Sequence, residues 1–326
     1  MNSPVIIVGC TKSGTTLIRS LFDGHPELFA IPFESHFFQN TGRWVEYSYR
    51  RTMPSSLSFE EKKRKLLEWI THSNENENAI ADGFTVGKFD VKLASNYLMN
   101  AQVHDERSLS DAYTKAIYLA SFGKEMPTNL EFVEKSVENA EMSSVWQDLY
   151  PEARFVHILR NPYSNLVAMR KYGAHYRNGN FPRLQNALQA MCNSYYWLYR
   201  NQRQQKNYQV LIYDDLISDV AGNMRKVADK LGLKYDDILT KPTIGGEQWK
   251  GNSTSGKSYS GVSAKNVTAW KDEITPLEIE LVNKYFGHVL DDFGFERMEA
   301  KKSVYWPNKN ERPEIWVYNR LLKYFV

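Results

Sequence analysis

Residue types able to grip a phosphate are concentrated near the start of the chain, in Gly9-Cys10-Thr11-Lys12-Ser13-Gly14-Thr15-Thr16. One lysine and several hydroxyls stand between and beside two glycines. The apolar run Pro4-Val5-Ile6-Ile7-Val8 leads into this stretch, and Leu17, Ile18 and Leu21 return after it at helical spacing. The pattern predicts a strand, a loop and a helix. Backbone N–H groups at such a helix start, with the positive end of the helix dipole, form an anion site. A nucleotide-like polyanion is the implied ligand, although a tight strand-to-helix turn with no ligand has the same outline.

Loop chemistry narrows the choice. A Walker A loop reads G-x-x-x-x-G-K-[ST], and its terminal lysine reaches the β- and γ-phosphates. Gly9 and Gly14 have the required separation, but Thr15 follows Gly14 and the lysine, Lys12, sits inside the loop. A lysine two residues earlier addresses a different part of the ligand, nearer a 5′-terminal group.

With Lys12-Ser13-Gly14-Thr15-Thr16 the loop resembles the 5′-phosphosulfate loop of sulfotransferases. Three further blocks occur in that family's order. Arg154-Phe155-Val156-His157-Ile158-Leu159-Arg160-Asn161-Pro162-Tyr163-Ser164 is similar to its 3′-phosphate motif, in which a strand ends in an arginine with a serine four residues on. Tyr208 to Ile212 followed by Tyr213-Asp214-Asp215-Leu216 resembles its strand-then-Tyr-acidic-acidic-Leu segment. Trp249-Lys250-Gly251-Asn252-Ser253 through Thr275 resembles its cofactor-closing region. His25-Pro26-Glu27-Leu28 with Pro32-Phe33-Glu34, and Glu134-Lys135-Ser136-Val137-Glu138-Asn139, resemble segments of the branch containing tyrosylprotein and many bacterial sulfotransferases. Leu17 stands where cytosolic members often place an adenine-stacking Trp, and Ser136-Val137 replaces the usual Thr-Pro.

The resemblance implies a donor, 3′-phosphoadenosine 5′-phosphosulfate (PAPS), whose sulfuryl group moves to a hydroxyl or amine and leaves adenosine 3′,5′-bisphosphate (PAP). In-line attack of this kind is catalysed mainly by positioning and electrostatics. The leaving group is already good, so no metal is required, and no His/Cys/Asp cluster at metal-ligand spacing is seen. By the same resemblance Lys12, Ser13, Gly14, Thr15 and Thr16 would serve the 5′-phosphate, and Arg160 and Ser164 the 3′-phosphate. Tyr213 would lie against the adenine, and Lys250, Gly251 and Asn252 would close over the nucleotide. Glu34 is the candidate general base, with His36 second. Lys12, Lys135 and Ser253 would stabilise the transferring group.

These residues need a frame. Candidate strands are 4–9, 131–135, 154–159 and 208–213, with 88–92 a further candidate. Helical patterns separate them, so the fold expected is α/β: a P-loop-like parallel sheet flanked by helices on both faces. Ligands of such sheets bind beyond the carboxyl ends of the strands, where these residues fall. Residues 1–300 are read as one domain in which about 40–130 form a helical insertion over the active site. Residues 301–326 form an aromatic-rich tail. Within the insertion, 58–72 reads as an exposed helix with a Ser58/Glu61 capping box and Glu60–Arg64 and Glu61–Lys65 pairs. Asn74-Glu75-Asn76-Glu77-Asn78 reads as a polar loop. A long helix is expected over 183–206, its Tyr195, Tyr196 and Trp197 serving core and interface, and Thr275-Pro276-Leu277-Glu278 reads as a helix start.

The chain has 326 residues, 42% hydrophobic, with a formal net charge of +3. That charge is too mild for a nucleic-acid binder. Two cysteines, Cys10 and Cys192, are too few for a disulfide framework, and both are read as small buried hydrophobes. No signal peptide and no stretch of roughly 20 apolar residues is visible, so a soluble, cytoplasmic protein is expected. Small-molecule, glycan, lipid and tyrosine acceptors all stay open, as does the oligomeric state. Two other functions remain at this stage: a P-loop kinase, which would need Mg²⁺ and ATP, and a nucleotide-binding module without activity.

Overall fold

The computed structural model describes residues 1–75, 90–249, 251, 261–262, 267–300, 310–322 and 324. Strand β1 (Val5–Gly9) is buried at every position. An apolar run without alternation suits a strand covered on both faces. Helix α1 (Thr15–Phe22) follows the loop and is also buried throughout. Next come the short strand β2 (Leu28–Ala30), the single-turn helix α2 (Phe37–Asn40) and an antiparallel hairpin of β3 (Trp44–Glu46) and β4 (Arg51–Met53).

Three helices occupy the next stretch: α3 (Phe59–Glu75), α4 (Val91–Asn100) and α5 (Glu106–Phe122). The chain then alternates β5 (Glu131–Lys135), α6 (Ser143–Leu149), β6 (Arg154–Leu159), α7 (Pro162–His175), α8 (Leu184–Gln204) and β7 (Tyr208–Ile212). Helices α9 (Tyr213–Ser218) and α10 (Val220–Leu231), a small hairpin of β8 (Thr243–Ile244) and β9 (Glu247–Gln248), α11 (Pro276–Asp292) and α12 (Pro313–Leu321) complete it.

Strands β2-β5-β1-β6-β7 form one parallel sheet in that order. β1 is central: Ile7 lies opposite Lys135 on β5, and Gly9 opposite Ile158 on β6. Lys135, the Gly9 loop and Arg160 therefore leave the sheet side by side at its carboxyl end, where open α/β sheets hold ligands. Arg154 sits at the opposite end of β6 and donates from Nε to the Ser3 carbonyl at 2.9 Å. It fastens the amino edge of the sheet.

The expected α/β architecture is the observed one, with some differences. The 88–92 strand does not form: Asp90 caps α4 through the N–H groups of Lys92 and Leu93, and Val91 is helical. Residues 88 and 89 lie outside the described residues. Strand β2, hidden between Pro26 and Pro32, was not anticipated. Helix α3 starts at the Ser58 cap, with Ser58 N–H donating to Glu61 at 2.8 Å and Glu61 N–H to Ser58 Oγ at 3.3 Å. Glu61 turns back to the cap, and Glu60 takes Lys63 at 3.0 Å, so neither expected i,i+4 ion pair is the one made. Asn74 and Glu75 are helical, not loop; 76–78 lie outside the described residues. Thr275 and Glu278 form the reciprocal cap of α11. Cys10 is buried but Cys192 is exposed, which corrects the reading of both as core. Among the described residues no helix is long and apolar enough to cross a membrane.

Candidate active site

The Gly9–Thr16 loop is held open by its backbone. Lys12 has φ 65° and Gly14 has φ 112°. A Cβ on Gly14 would fall 2.5 Å from Cδ2 of Tyr213, so the ring covers the loop at a spot only glycine leaves free. Ser13 is 1% exposed and its hydroxyl has no partner among the described residues. A buried polar group without a partner calls for a ligand or water. Thr15 and Thr16, both buried, open α1, and the first-turn bond from Ile18 N–H to the Gly14 carbonyl (3.1 Å) starts the helix. A cradle with an orphaned hydroxyl at a helix start fits the 5′-phosphate that the loop motif implies.

Helix α7 and the turn leading into it hold this loop in place. Arg160 Nη1 donates to the Lys12 carbonyl at 3.0 Å, and its Nε to Ser164 Oγ at 2.8 Å. The same guanidinium lies 4.8 Å from the Tyr213 ring centroid. Asn165, 1% exposed, donates to the Thr11 carbonyl at 2.9 Å. The Lys12 ammonium rests 5.1 Å from the centroid of Tyr172, two turns further along α7. Asn161 caps α7 by accepting from Tyr163 N–H at 3.0 Å, with Pro162 at the first helical position. The loop block, the Arg160/Ser164 block and Tyr213 thus converge on one corner.

On the other side of β1, at the end of β5, stands a chain of alternating charges. Lys135 Nζ is paired with Glu34 Oε1. Glu34 Oε2 lies 3.2 Å from His36 Nε2, and His36 Nδ1 lies 2.9 Å from Glu138 Oε2. Burial alone would press the His36 imidazole down, but hydrogen bonds and charge from Glu138 and Glu34 outweigh it and push it up to about 10. His36 is therefore an imidazolium at neutral pH, donating from both nitrogens. Trp69 of α3 donates to the Glu34 carbonyl at 2.8 Å and meets the His36 ring edge-on.

Beneath this lies Glu134, 1% exposed, accepting from Ser35 at 2.6 Å and from Ser136 and Asn139. Burial pushes its carboxyl up, against those hydrogen bonds. Asn139 also donates to the Ile7 carbonyl at 3.0 Å, which locks the Glu134–Asn139 segment onto β1 just before the loop.

Of the residues singled out from sequence, Lys12, Ser13, Gly14, Thr15, Thr16, Arg160, Ser164 and Tyr213 gather on one side, and Glu34, His36 and Lys135 on the other. Gly251 is described only as a half-buried residue with φ 84°. Lys250, Asn252 and Ser253 lie outside the described residues. Asn165, Tyr172, Trp69 and the acid Glu138 were not singled out. Asn165 and Tyr172 follow Ser164 on helix α7, and only three-dimensional placement shows that they face the loop.

Residues 4–237 match the sequence model described as the Sulfotransferase family. The mouse protein Carbohydrate sulfotransferase 2 is 31% identical over 131 residues, 36% of this chain and 23% of that protein. The chain thus aligns with under a quarter of that relative's length. The Sulfotransferase Domain from the Curacin Biosynthetic Pathway superposes with a TM-score of 0.62 at 15% identity, covering 91% of this chain and 99% of that one. The Sulfotransferase Domain from the Synechococcus PCC 7002 Olefin Synthase does so with 0.52 at 18% identity, covering 87% and 96%.

Proposed function

The chain belongs to the sulfotransferase family, and on that premise we propose that it moves the sulfuryl group of PAPS to an acceptor hydroxyl. The observation that carries the proposal is the meeting of Arg160 with Lys12 and Ser164, because it joins the 3′-phosphate block to the 5′-phosphosulfate loop. Arginine suits the 3′-phosphate through its planar fork. Ser13, Gly14, Thr15 and Thr16 offer N–H and hydroxyl donors to the 5′-phosphate. Lys12 offsets charge at the oxygen that leaves. Bound there, the donor supplies an activated sulfuryl group.

Glu34 takes the acceptor's proton. His36 does not, because its ring already carries both protons; it steadies Glu34 from one side while Lys135 steadies it from the other. For Glu34 to act as a base, Lys135 must turn its charge from the carboxylate to the sulfuryl oxygens as they approach. That exchange strengthens the base and neutralises the transferring group together. Ser253 is retained as a further donor to that group, and Lys250, Gly251 and Asn252 as the segment that closes over the nucleotide.

The acceptor side is proposed to be residues 40–130, since α3 reaches Glu34 through Trp69. The β3–β4 hairpin in this stretch carries exposed rings, Trp44, Tyr47 and Tyr49, that an acceptor could meet. The partial likeness to a carbohydrate sulfotransferase makes a sugar hydroxyl the first acceptor to test. Residues 1–300 are proposed as one catalytic domain and 301–326 as its tail, with α12 fastened to α8 by Asn319 accepting from Leu184 N–H at 2.9 Å. Incubation with radiolabelled PAPS and a panel of sugars, lipids, small alcohols and tyrosine peptides tests the reading. Label on one acceptor class, without added Mg²⁺, is expected; phosphoryl transfer from ATP instead would contradict it.

A further inference from the structure

Helices α8 and α11 line a half-open cavity of about 550 Å³, within the range of small-molecule sites. None of its described lining residues belongs to the donor or Glu34 clusters. Its walls are tyrosines and Phe286, and its lining carries Arg200, Arg203 and His288 without any carboxylate among the described residues. Tyr195, 2% exposed, lines it with a hydroxyl that has no partner among the described residues. Two neighbouring hydroxyls are satisfied: Tyr199 donates to Asp292 at 2.6 Å and Tyr285 to the Leu322 carbonyl at 3.0 Å.

Helix α11 breaks at Phe286, whose φ of −126° and ψ of 16° are not helical. Its ring meets Tyr195 edge-to-face at 5.1 Å. The break thus falls at a residue that lines the cavity, and sharp departures from helical geometry often accompany sites. Arg200 is steadied 4.6 Å from the Trp197 ring centroid.

We propose that this cavity is a second ligand site, taking a small aromatic anion whose ring packs among the tyrosines and whose charged group meets Arg200 and Arg203. Aromatic walls alone would accept any apolar ring. Arg200 and Arg203 favour a negative charge, since the carboxylate at the edge of the cavity, Asp292, is already taken by the Tyr199 hydroxyl, and the Tyr195 hydroxyl gains an acceptor that the described residues do not supply.

The exposed thiol Cys192 lines the same cavity, whereas Cys10 is buried. Its alkylation by iodoacetamide, followed by mass spectrometry, therefore reports occupancy. With PAP present in saturating amount, 2-naphthyl sulfate is expected to slow modification of Cys192 saturably, and 2-naphthol or inorganic sulfate far less. Tyr195→Phe removes one hydrogen bond and is expected to weaken protection about 3- to 10-fold. Arg200→Gln with Arg203→Gln is expected to weaken it further, with an unchanged circular dichroism spectrum. No protection, equal protection by 2-naphthol, or protection unaltered in the arginine variant would each overturn the proposal.

Discussion

Arg160 donates from Nη1 to the backbone carbonyl of Lys12 at 3.0 Å, so one guanidinium braces the phosphate loop while its Nε meets Ser164. The bond fixes the left-handed residue of the loop by its carbonyl. Tyr172 receives the same residue's ammonium. Arg160→Lys keeps the charge but loses the planar fork, and PAP affinity is expected to fall about 10-fold by isothermal titration. Affinity equal to wild type would show that the fork is not used.

Gly14→Ala places a methyl group against Tyr213 at a φ that side chains rarely adopt. A stability loss of about 1–3 kcal/mol in urea unfolding is expected, with weaker PAP binding as the ring is displaced. A variant as stable and as tight-binding as wild type would mean that the loop and Tyr213 are not in register.

Glu34→Gln keeps the shape of the side chain and removes its basicity. Turnover is expected to fall about 10²- to 10⁴-fold, while PAP affinity stays within about threefold of wild type. Steady-state assay with titration separates the two. Full turnover would move the proton to solvent, because the His36 imidazolium has no free nitrogen to accept it.

The His36 imidazole stands at about 10 against an ordinary 6.5. Its folded value is raised, so it contributes stability present below about pH 6.5 and lost as pH rises through about 10. In His36→Gln, unfolding free energy should therefore differ most from wild type below pH 6.5 and converge toward pH 10. An NMR titration of the wild-type ring near 6.5 would refute the charged bridge to Glu34 and Glu138.

Arg170 and Glu278 form a buried ion pair at 2.7 Å, 3% and 1% exposed, joining α7 to the cap of α11. Burial pushes the Glu278 carboxyl up, against the Arg170 charge. Arg170→Met leaves that carboxylate buried alone and is expected to lower stability by about 3–5 kcal/mol in urea unfolding. A loss below about 1 kcal/mol would mean that the site rehydrates easily.

What could be read from sequence was local. Strand β1, the loop and α1 were legible because an apolar run, two glycines and helical spacing occur in sequence order. Thr275 and Glu278 announced their cap for the same reason. The Arg160 block was legible through its resemblance, but its bond to Lys12 spans 148 residues and required the β1–β6 pairing to exist. His36 looked like a base because an isolated imidazole is one. Its second carboxylate, Glu138, lies about a hundred positions away, and the contact between them is not visible in the sequence. Strand β2 was missed because three residues between prolines carry no periodicity, and the 88–92 strand was overcalled because Asp90 prefers to cap a helix.

The most direct test is calorimetric titration of wild type and Arg160→Ala with PAP and with ATP, each with and without Mg²⁺. The proposed function predicts metal-independent PAP binding, little binding of ATP, and a PAP affinity weakened about 10- to 100-fold in the variant. PAP binding unchanged by the substitution, or a preference for ATP that depends on Mg²⁺, would contradict it.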